Sequence, residues 1–299
     1  MAYIEFKNVS KIYDTGEVKI KALDNASFEI EKGELVVILG PSGAGKTVLL
    51  RMLAGLDDSD SGDVLYQIDG EWHDIAIAGL GRMKIRSKLG FMHQEFALAH
   101  YATVFDQLAT RLGYKNQNVV NEARQRAERM GLSDELLDSL YLLTDLQESE
   151  ARARLEQVGL EPDILSDLFP KFPETATREA VADIFESLDL DLDILQRKSY
   201  ELSGGQKVRV AMATVLASKP EILILDEPFG DLDPVTLRQV ANSLKKINEQ
   251  FGTTIILVSH TMEFVKEVST RSILINKGKL IEEGNPEKVT DDFIKMEME

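Results

Sequence analysis

The sequence predicts an α/β protein with a mixed, mostly parallel core sheet, a separate helical region and antiparallel strands at the N-terminus. Three patterns carry that prediction. Strand-sized apolar runs alternate with helical stretches in the first and last parts of the chain, as in a largely parallel sheet. The run Glu34–Leu39 leads through a glycine-rich loop into a helix at Val48–Leu53. From about Asn118 to Leu195, Leu, Ala, Arg and Glu recur at three- and four-residue spacing, a helical period.

Taken in order, Tyr3–Phe6 and Ala22–Ile30 read as short strands, and Glu34–Leu39 as a buried one. After the first helix, Asp57–Asp63 is a polar turn, and Val64–Ile77 reads as a hairpin around Asp69-Gly70. Leu89–His93 is a short strand that leads into Gln94. Beyond the helical region, a helix runs through Val208–Leu216, followed by strand Ile222–Leu225 and helix Pro234–Gln250. Strand Thr254–Ser259 and a hairpin at Ser272–Glu283 around Lys277-Gly278 complete the pattern.

The helical region contains a degenerate repeat. Ala123–Leu140 aligns with Ala151–Leu168 at an offset of 28 residues with eight identities, among them Gly131/Gly159 and Leu137/Leu165. A weaker third copy, Phe185–Leu195, aligns with Leu155–Leu165. Duplication and shared Leu/Glu/Arg-rich composition both account for the likeness.

Bulk properties narrow the function. A formal net charge of −17 makes the chain a poor ligand for nucleic-acid phosphates, so no nucleic-acid partner is expected. The absence of cysteine excludes disulfides, thiolate metal sites and a catalytic thiol, and fits a reducing cytosol. No apolar run reaches the roughly 18 to 20 residues of a membrane span. The N-terminus lacks a basic-then-apolar export signal. The expected location is the cytoplasm, or the inner face of the cell membrane by way of a partner subunit.

The chemistry is concentrated in three motifs. Gly40-Pro-Ser-Gly-Ala-Gly-Lys-Thr47 lies between strand and helix. Gly40, Gly43 and Gly45 let the backbone wrap tightly, so that its N–H groups, with those of Ser42 and Ala44, face phosphate oxygens. The helix adds its positive end. Lys46 reaches the β- and γ-phosphates, and the Thr47 hydroxyl ligates Mg²⁺. Asp226 and Glu227 end an apolar strand. The first is suited to Mg²⁺, and the second to orienting and polarising water as a general base. Leu202-Ser-Gly-Gly-Gln206 opens a helix, where Ser203, Gly204, Gly205 and Gln206 form a second anion site.

These motifs, in this order, resemble the ABC-type ATPases over about Tyr3–Val289, the repeated insertion excluded, and no carboxy-terminal regulatory domain is expected in the ten or so residues that remain. The resemblance implies one ATPase domain of the phosphate-loop NTPase fold. Its catalytic α/β core is 1–93 and 217–299, and its helical signature subdomain is 94–216, enlarged by inserted helical repeats at about 115–180. It implies ATP as substrate, Mg²⁺ as cofactor, and a head-to-tail dimer with a second ABC ATPase domain, each signature capping the other's γ-phosphate. Gln94 becomes a contact to Mg²⁺ and the attacking water, and His260 a γ-phosphate contact. Tyr13 matches the aromatic that stacks on adenine, with a surface or packing tyrosine as the lesser alternative. Asp233 matches the acid of the loop at the dimer seam, while Gly230 and Asp231 depart from the commoner Ser-Ala pair. Thr214 replaces a common arginine.

The coupled work is open between two partners. Thr15–Glu34 resembles exporter ATPases of the lipoprotein-release and macrolide-efflux type, which implies a membrane-spanning permease subunit. Segments within 70–113, such as Phe91-Met-His-Gln-Glu-Phe96, resemble the soluble ABC ATPase that activates methyl-coenzyme M reductase, which implies a soluble client enzyme. DNA-repair or translation ABC proteins rank last, since neither a long coiled coil nor tandem domains with a basic linker is present.

Overall fold

The computed structural model describes residues 2–14, 16, 18–93, 98–227, 229–230 and 232–298. The chain begins with β1 (Ala2–Asp14), β2 (Lys19–Glu31), β3 (Leu35–Leu39) and α1 (Lys46–Leu53). Next come β4 (Ser61–Ile68), β5 (Glu71–Asp74), α2 (Leu80–Ser87) and β6 (Leu89–Met92). The helical stretch holds α3 (Val104–Arg111), α4 (Gln117–Met130), α5 (Asp134–Leu143), α6 (Glu148–Gln157), α7 (Ile164–Leu168), α8 (Pro173–Ser187) and α9 (Gly204–Leu216). The chain continues with β7 (Ile222–Asp226), α10 (Pro234–Phe251), β8 (Thr254–Val258), α11 (Met262–Val268), β9 (Arg271–Asn276), β10 (Lys279–Gly284) and α12 (Pro286–Met298). Two compact units result: Met1–Ala97 with Lys219–Glu299, and Leu98–Ser218.

The first unit carries two sheets. A six-stranded sheet has the order β10-β9-β3-β8-β7-β6, parallel except for the β9–β10 hairpin. A four-stranded antiparallel sheet has the order β2-β1-β4-β5. Strands β3, β7 and β8 are buried along their whole length, which a parallel sheet covered on both faces requires. On one face, Val36, Ile38, Ile224, Ile256 and Val258 join Leu49, Leu50 and Leu53 of α1 and Phe6 and Tyr66 of the antiparallel sheet in a single core.

β1 and β2 are each 13 residues long, well beyond the strands read from sequence. The ladder between them shifts register near Asn8 and Asn25, both left-handed (φ 51° and 54°), as at β-bulges. The two expected hairpins form, and both central residues of each turn have positive φ, the type I′ requirement. Helices α2, α3, α11 and α12 have no counterpart in the sequence reading. α3 did offer a signal, since Thr103 and Asp106 form a reciprocal capping box at its start.

In the second unit the repeat is structural. Gly131, Gly159 and Asp189 end α4, α6 and α8 in the left-handed region (φ 73°, 78° and 49°). Each cap closes with the same pair of bonds. Gly131 N donates to Glu128 O and Leu132 N to Ala127 O; Gly159 N to Glu156 O and Leu160 N to Leu155 O; Asp189 N to Glu186 O and Leu190 N to Phe185 O. Equivalent positions of the first two copies share one core, with Ala123, Ala127, Leu137 and Leu140 packed with Ala151, Leu155, Leu165 and Leu168.

Glu221, just before β7, ties the first unit together. It accepts bonds from Lys88 Nζ (2.6 Å), Tyr3 Oη (2.9 Å) and Lys32 Nζ (3.1 Å). Chiefly through Lys88, its carboxyl is held down to about 2 from 4.5. A folded-state value below the unfolded one gives stabilisation that is complete above pH 4.5 and lost as pH falls toward 2. Glu221→Gln is therefore expected to lower the urea midpoint at pH 7, with the gap from wild type closing as the pH is taken from 5 to 3. A gap that stays constant with pH contradicts this account.

Candidate functional site

The site follows from strand register. Ile38 of β3 and Asp226 of β7 are both register partners of Val258 of β8, so the three residues lie in one row across the sheet. Neighbouring strands are about 4.8 Å apart. The segments leaving those strands, at Gly40, Glu227 and Ser259-His260, therefore emerge side by side at one edge. Ligands in open α/β sheets bind at such carboxyl ends.

The glycine loop is shaped by backbone from distant segments. A Cβ on Gly40 would lie 2.1 Å from Ile275 O, and one on Gly45 2.2 Å from Ala22 O. Their φ values, 152° and 103°, also exclude most side chains. Gly278 N donates to Ala44 O (3.0 Å) and Asp24 N to Gly278 O (2.8 Å), so the β9–β10 turn and β2 brace the loop from behind. Sequence reading took Gly278 for a turn residue and gave Ala22 and Ile275 no role, because close approach across the chain leaves no local spacing. Ser42 and Gly43 are exposed on the loop, and Ala44 is buried beneath it.

Lys46 opens α1, two residues earlier than the sequence reading put the helix. Its buried Nζ donates to Gly40 O (2.8 Å) and Pro41 O (3.0 Å) and lies 3.7 Å from Glu227 Oε1. Thr47 Oγ1 donates to Asp226 Oδ1 (3.2 Å). Burial pushes the Asp226 carboxyl above its ordinary value, and the Thr47 hydroxyl offsets part of that rise. Adjacent Glu227 adds to it, while His93 and Lys46 favour the charged form. Sequence reading gave His93 no role. Glu227 has φ 45°, an uncommon conformation for a residue with a side chain. Its carboxylate lies between Lys46 and His260, whose Nδ1 is 3.6 Å from Glu227 Oε2. The hydroxyl and carboxylate pair of Thr47 and Asp226 is a hard-oxygen donor set, which fits Mg²⁺.

In the second unit, Ser203 is the N-cap of α9 and accepts from Gln206 N (3.2 Å), while Gln206 Oε1 accepts from Ser203 N (3.0 Å). Gln206 is thus part of the cap. The first-turn N–H groups of Gly204 and Gly205 have no partner inside the helix. Thr214 Oγ1 donates back to Val210 O (3.0 Å) within its own helix. Asp233 caps α10, accepting from Val235 N and Thr236 N. Tyr13 lies on β1, half-exposed. Gln94 lies outside the described residues, as does Asp231.

Comparison with known proteins agrees with the geometry. A family model described as ABC transporter matches residues 23–230. An uncharacterised ABC transporter ATP-binding protein of Methanocaldococcus jannaschii is 50% identical over 98% of this chain. The match takes in 52% of that protein, so the chain spans about half the length of this relative. The phosphonates import ATP-binding protein PhnC of Bacillus cereus is 34% identical over 97% of this chain and 91% of its own. The sulfate/thiosulfate import ATP-binding protein CysA of Pseudomonas aeruginosa is 32% identical over 97% and 68%. Among solved structures, a dimeric ABC transporter cassette, MJ0796, superposes with a TM-score of 0.65 at 28% identity, covering 95% of this chain and 98% of its own. The finer resemblances, to exporter ATPases and to the methyl-coenzyme M reductase activator, gain no support from these relatives.

The close backbone contacts rank the loop glycines. Gly43 has φ 76° with nothing within 4 Å of an added Cβ, so Gly43→Ala meets only left-handed strain, about 1 to 2 kcal/mol. Gly45→Ala adds a collision with the Ala22 carbonyl. The expected result is a markedly larger fall in thermal midpoint for Gly45→Ala than for Gly43→Ala. Equal falls contradict the bracing of the loop by β2.

Proposed function

The chain belongs to the ABC transporter family, and we propose accordingly that it binds ATP with Mg²⁺ and hydrolyses it to ADP and phosphate. In this reading it is the ATP-binding motor of a transporter. One observation carries the chemistry: Lys46, Thr47, Asp226, Glu227 and His260 meet around the glycine loop at the ends of β3, β7 and β8.

In this reading the loop N–H groups of 42–47 and the N-terminus of α1 hold the β- and γ-phosphates. The Lys46 ammonium turns from the Gly40 and Pro41 carbonyls to the phosphate oxygens. Thr47 and Asp226 would hold Mg²⁺, which would supply positive charge against the phosphates. Glu227 orients a water for in-line attack and takes its proton on a carboxylate oxygen. His260, at the end of β8, steadies Glu227 and donates to the γ-phosphate. Gln94 keeps the role that the resemblance implies, as a contact to Mg²⁺ and water.

The signature supports a dimer. Its capped helix start offers unsatisfied N–H groups to an anion, and a solved relative is a dimeric cassette. Two copies arranged head to tail would let Ser203, Gly204 and Gly205 of each cap the γ-phosphate held by the other, closing with two-fold symmetry. The import ATP-binding proteins among its relatives support transport, with a membrane-spanning permease as partner. Among the described residues, no helix is long and apolar enough to cross a membrane. The cytoplasmic face of a membrane is the proposed site of action.

Purified wild type is expected to hydrolyse MgATP. Glu227→Gln should retain ATP, lose about two orders of magnitude or more of turnover, and elute as a dimer with MgATP. A variant that stays monomeric and turns over ATP at the wild-type rate contradicts the proposal.

A further inference from the structure

The outer end of the β1–β2 hairpin has a weakness. β4 pairs with β1 only as far as Ser10, so Lys11–Asp14 pair with β2 alone. A two-stranded ribbon is marginal in water. The segment Asp57–Asp60 supplies the missing support. Asp60 N donates to Ser10 O (3.0 Å), Lys11 Nζ donates to Asp58 O (2.6 Å), and Ile12 N donates to Asp60 Oδ2 (2.6 Å). Tyr13 Oη donates to Asp57 Oδ2 (2.8 Å).

Asp57 also belongs to α1. The helix ends with Gly55 in the left-handed region (φ 63°) and Leu56 N donating to Arg51 O (2.8 Å), which delivers Asp57 directly after the cap. Arg51 Nε, in the last turn of α1, is 3.7 Å from Asp57 Oδ2. The helix that begins in the glycine loop is thus linked at its far end, through Asp57, to the Tyr13 ring. Lys11 Nζ lies 5.6 Å from the centroid of that ring, in cation–π range. Burial first, and then Asp57, pushes the Tyr13 hydroxyl above its ordinary value.

We propose that Asp57 is a positioning residue for the nucleobase, fixing the Tyr13 ring at a set distance and tilt from the phosphate loop. The proposal rests on the reading of Tyr13 as the residue that stacks on the base. An aromatic platform on an unsupported ribbon would pay an ordering cost each time a base docked. Asp57 meets that cost in the folded protein, and the binding energy of the base is increased accordingly. A triphosphate without a base gains nothing from it.

The test compares Mg-ATP with Mg-tripolyphosphate in titration calorimetry, for wild type, Asp57→Ala, Asp57→Asn, Tyr13→Phe, Tyr13→Ala and the double variant Asp57→Ala/Tyr13→Phe. Asp57→Ala and Tyr13→Phe are each expected to weaken ATP by about threefold to tenfold, the effect of one hydrogen bond. The double variant should be no weaker than either single one, because both changes remove the same bond. Asp57→Asn, whose amide oxygen can still accept, should recover much of the loss. Tripolyphosphate affinity should not change. Equal weakening of ATP and tripolyphosphate by Asp57→Ala, or an unchanged ATP affinity in Asp57→Ala and Tyr13→Phe, overturns the proposal. Should Asp57→Ala misfold, Tyr13→Phe and Asp57→Asn decide the matter. Loss of ATP affinity in Tyr13→Ala alone keeps Tyr13 as the platform and rejects Asp57. Unchanged ATP affinity in Tyr13→Ala rejects the stacking reading itself.

Discussion

The parallel pairing of β3, β8 and β7 is the constraint on which the first unit's chemistry depends. One residue of each strand, Ile38, Val258 and Asp226, falls in the same row. That row makes neighbours of segments nearly two hundred positions apart in sequence. A slip of one residue in either pairing would turn Asp226 to the opposite face of the sheet and separate it from Thr47. The register is held by strands buried on both faces, where a slip would expose or misfit a full set of Val, Ile and Leu side chains. Hydrophobic packing along the strands therefore sets the distances between Lys46, Asp226, Glu227 and His260 at their ends.

The glycine loop depends on a second, subordinate constraint. Its curvature is kept by carbonyls of Ala22 and Ile275 at positions where a methyl group would collide, and by the Gly278 turn behind Ala44. These contacts come from β2 and from the β9–β10 hairpin, the two ends of the chain. The loop is therefore complete only when the flanking segments have folded, so the proposed nucleotide site depends on the whole first unit.

Much of this was legible in the sequence. The loop Gly40–Thr47, the Asp226-Glu227 pair and the signature each carry residue types that fit one kind of chemistry, and their order names the family. Hairpin turns at Asp69-Gly70 and Lys277-Gly278 were readable because type I′ geometry demands residues of that kind. What escaped was non-local. The ladder of β1 and β2 shifts register near Asn8, which falls between the two strands read from sequence, and near Asn25, which falls inside one of them. α2 and α11 are short, so periodicity had little to measure, whereas α12 begins at Pro286, a helix-start signal that was passed over. The contact of Tyr13 with Asp57 joins residues 44 positions apart and has no motif. The repeat was visible as identities, but its physical content, the same two cap bonds three times, needed coordinates.

The central proposal is cooperation between two candidate anion sites on one chain, the glycine loop and the helix start at Ser203. The most direct measurement is a crystal structure with Mg²⁺ and a non-hydrolysable ATP analogue. The account predicts the γ-phosphate held by Lys46 and His260 of one copy, with Ser203 and Gly204 of a second copy within hydrogen-bond distance of it. A bound triphosphate in an active protein whose signature helices approach no phosphate would contradict it.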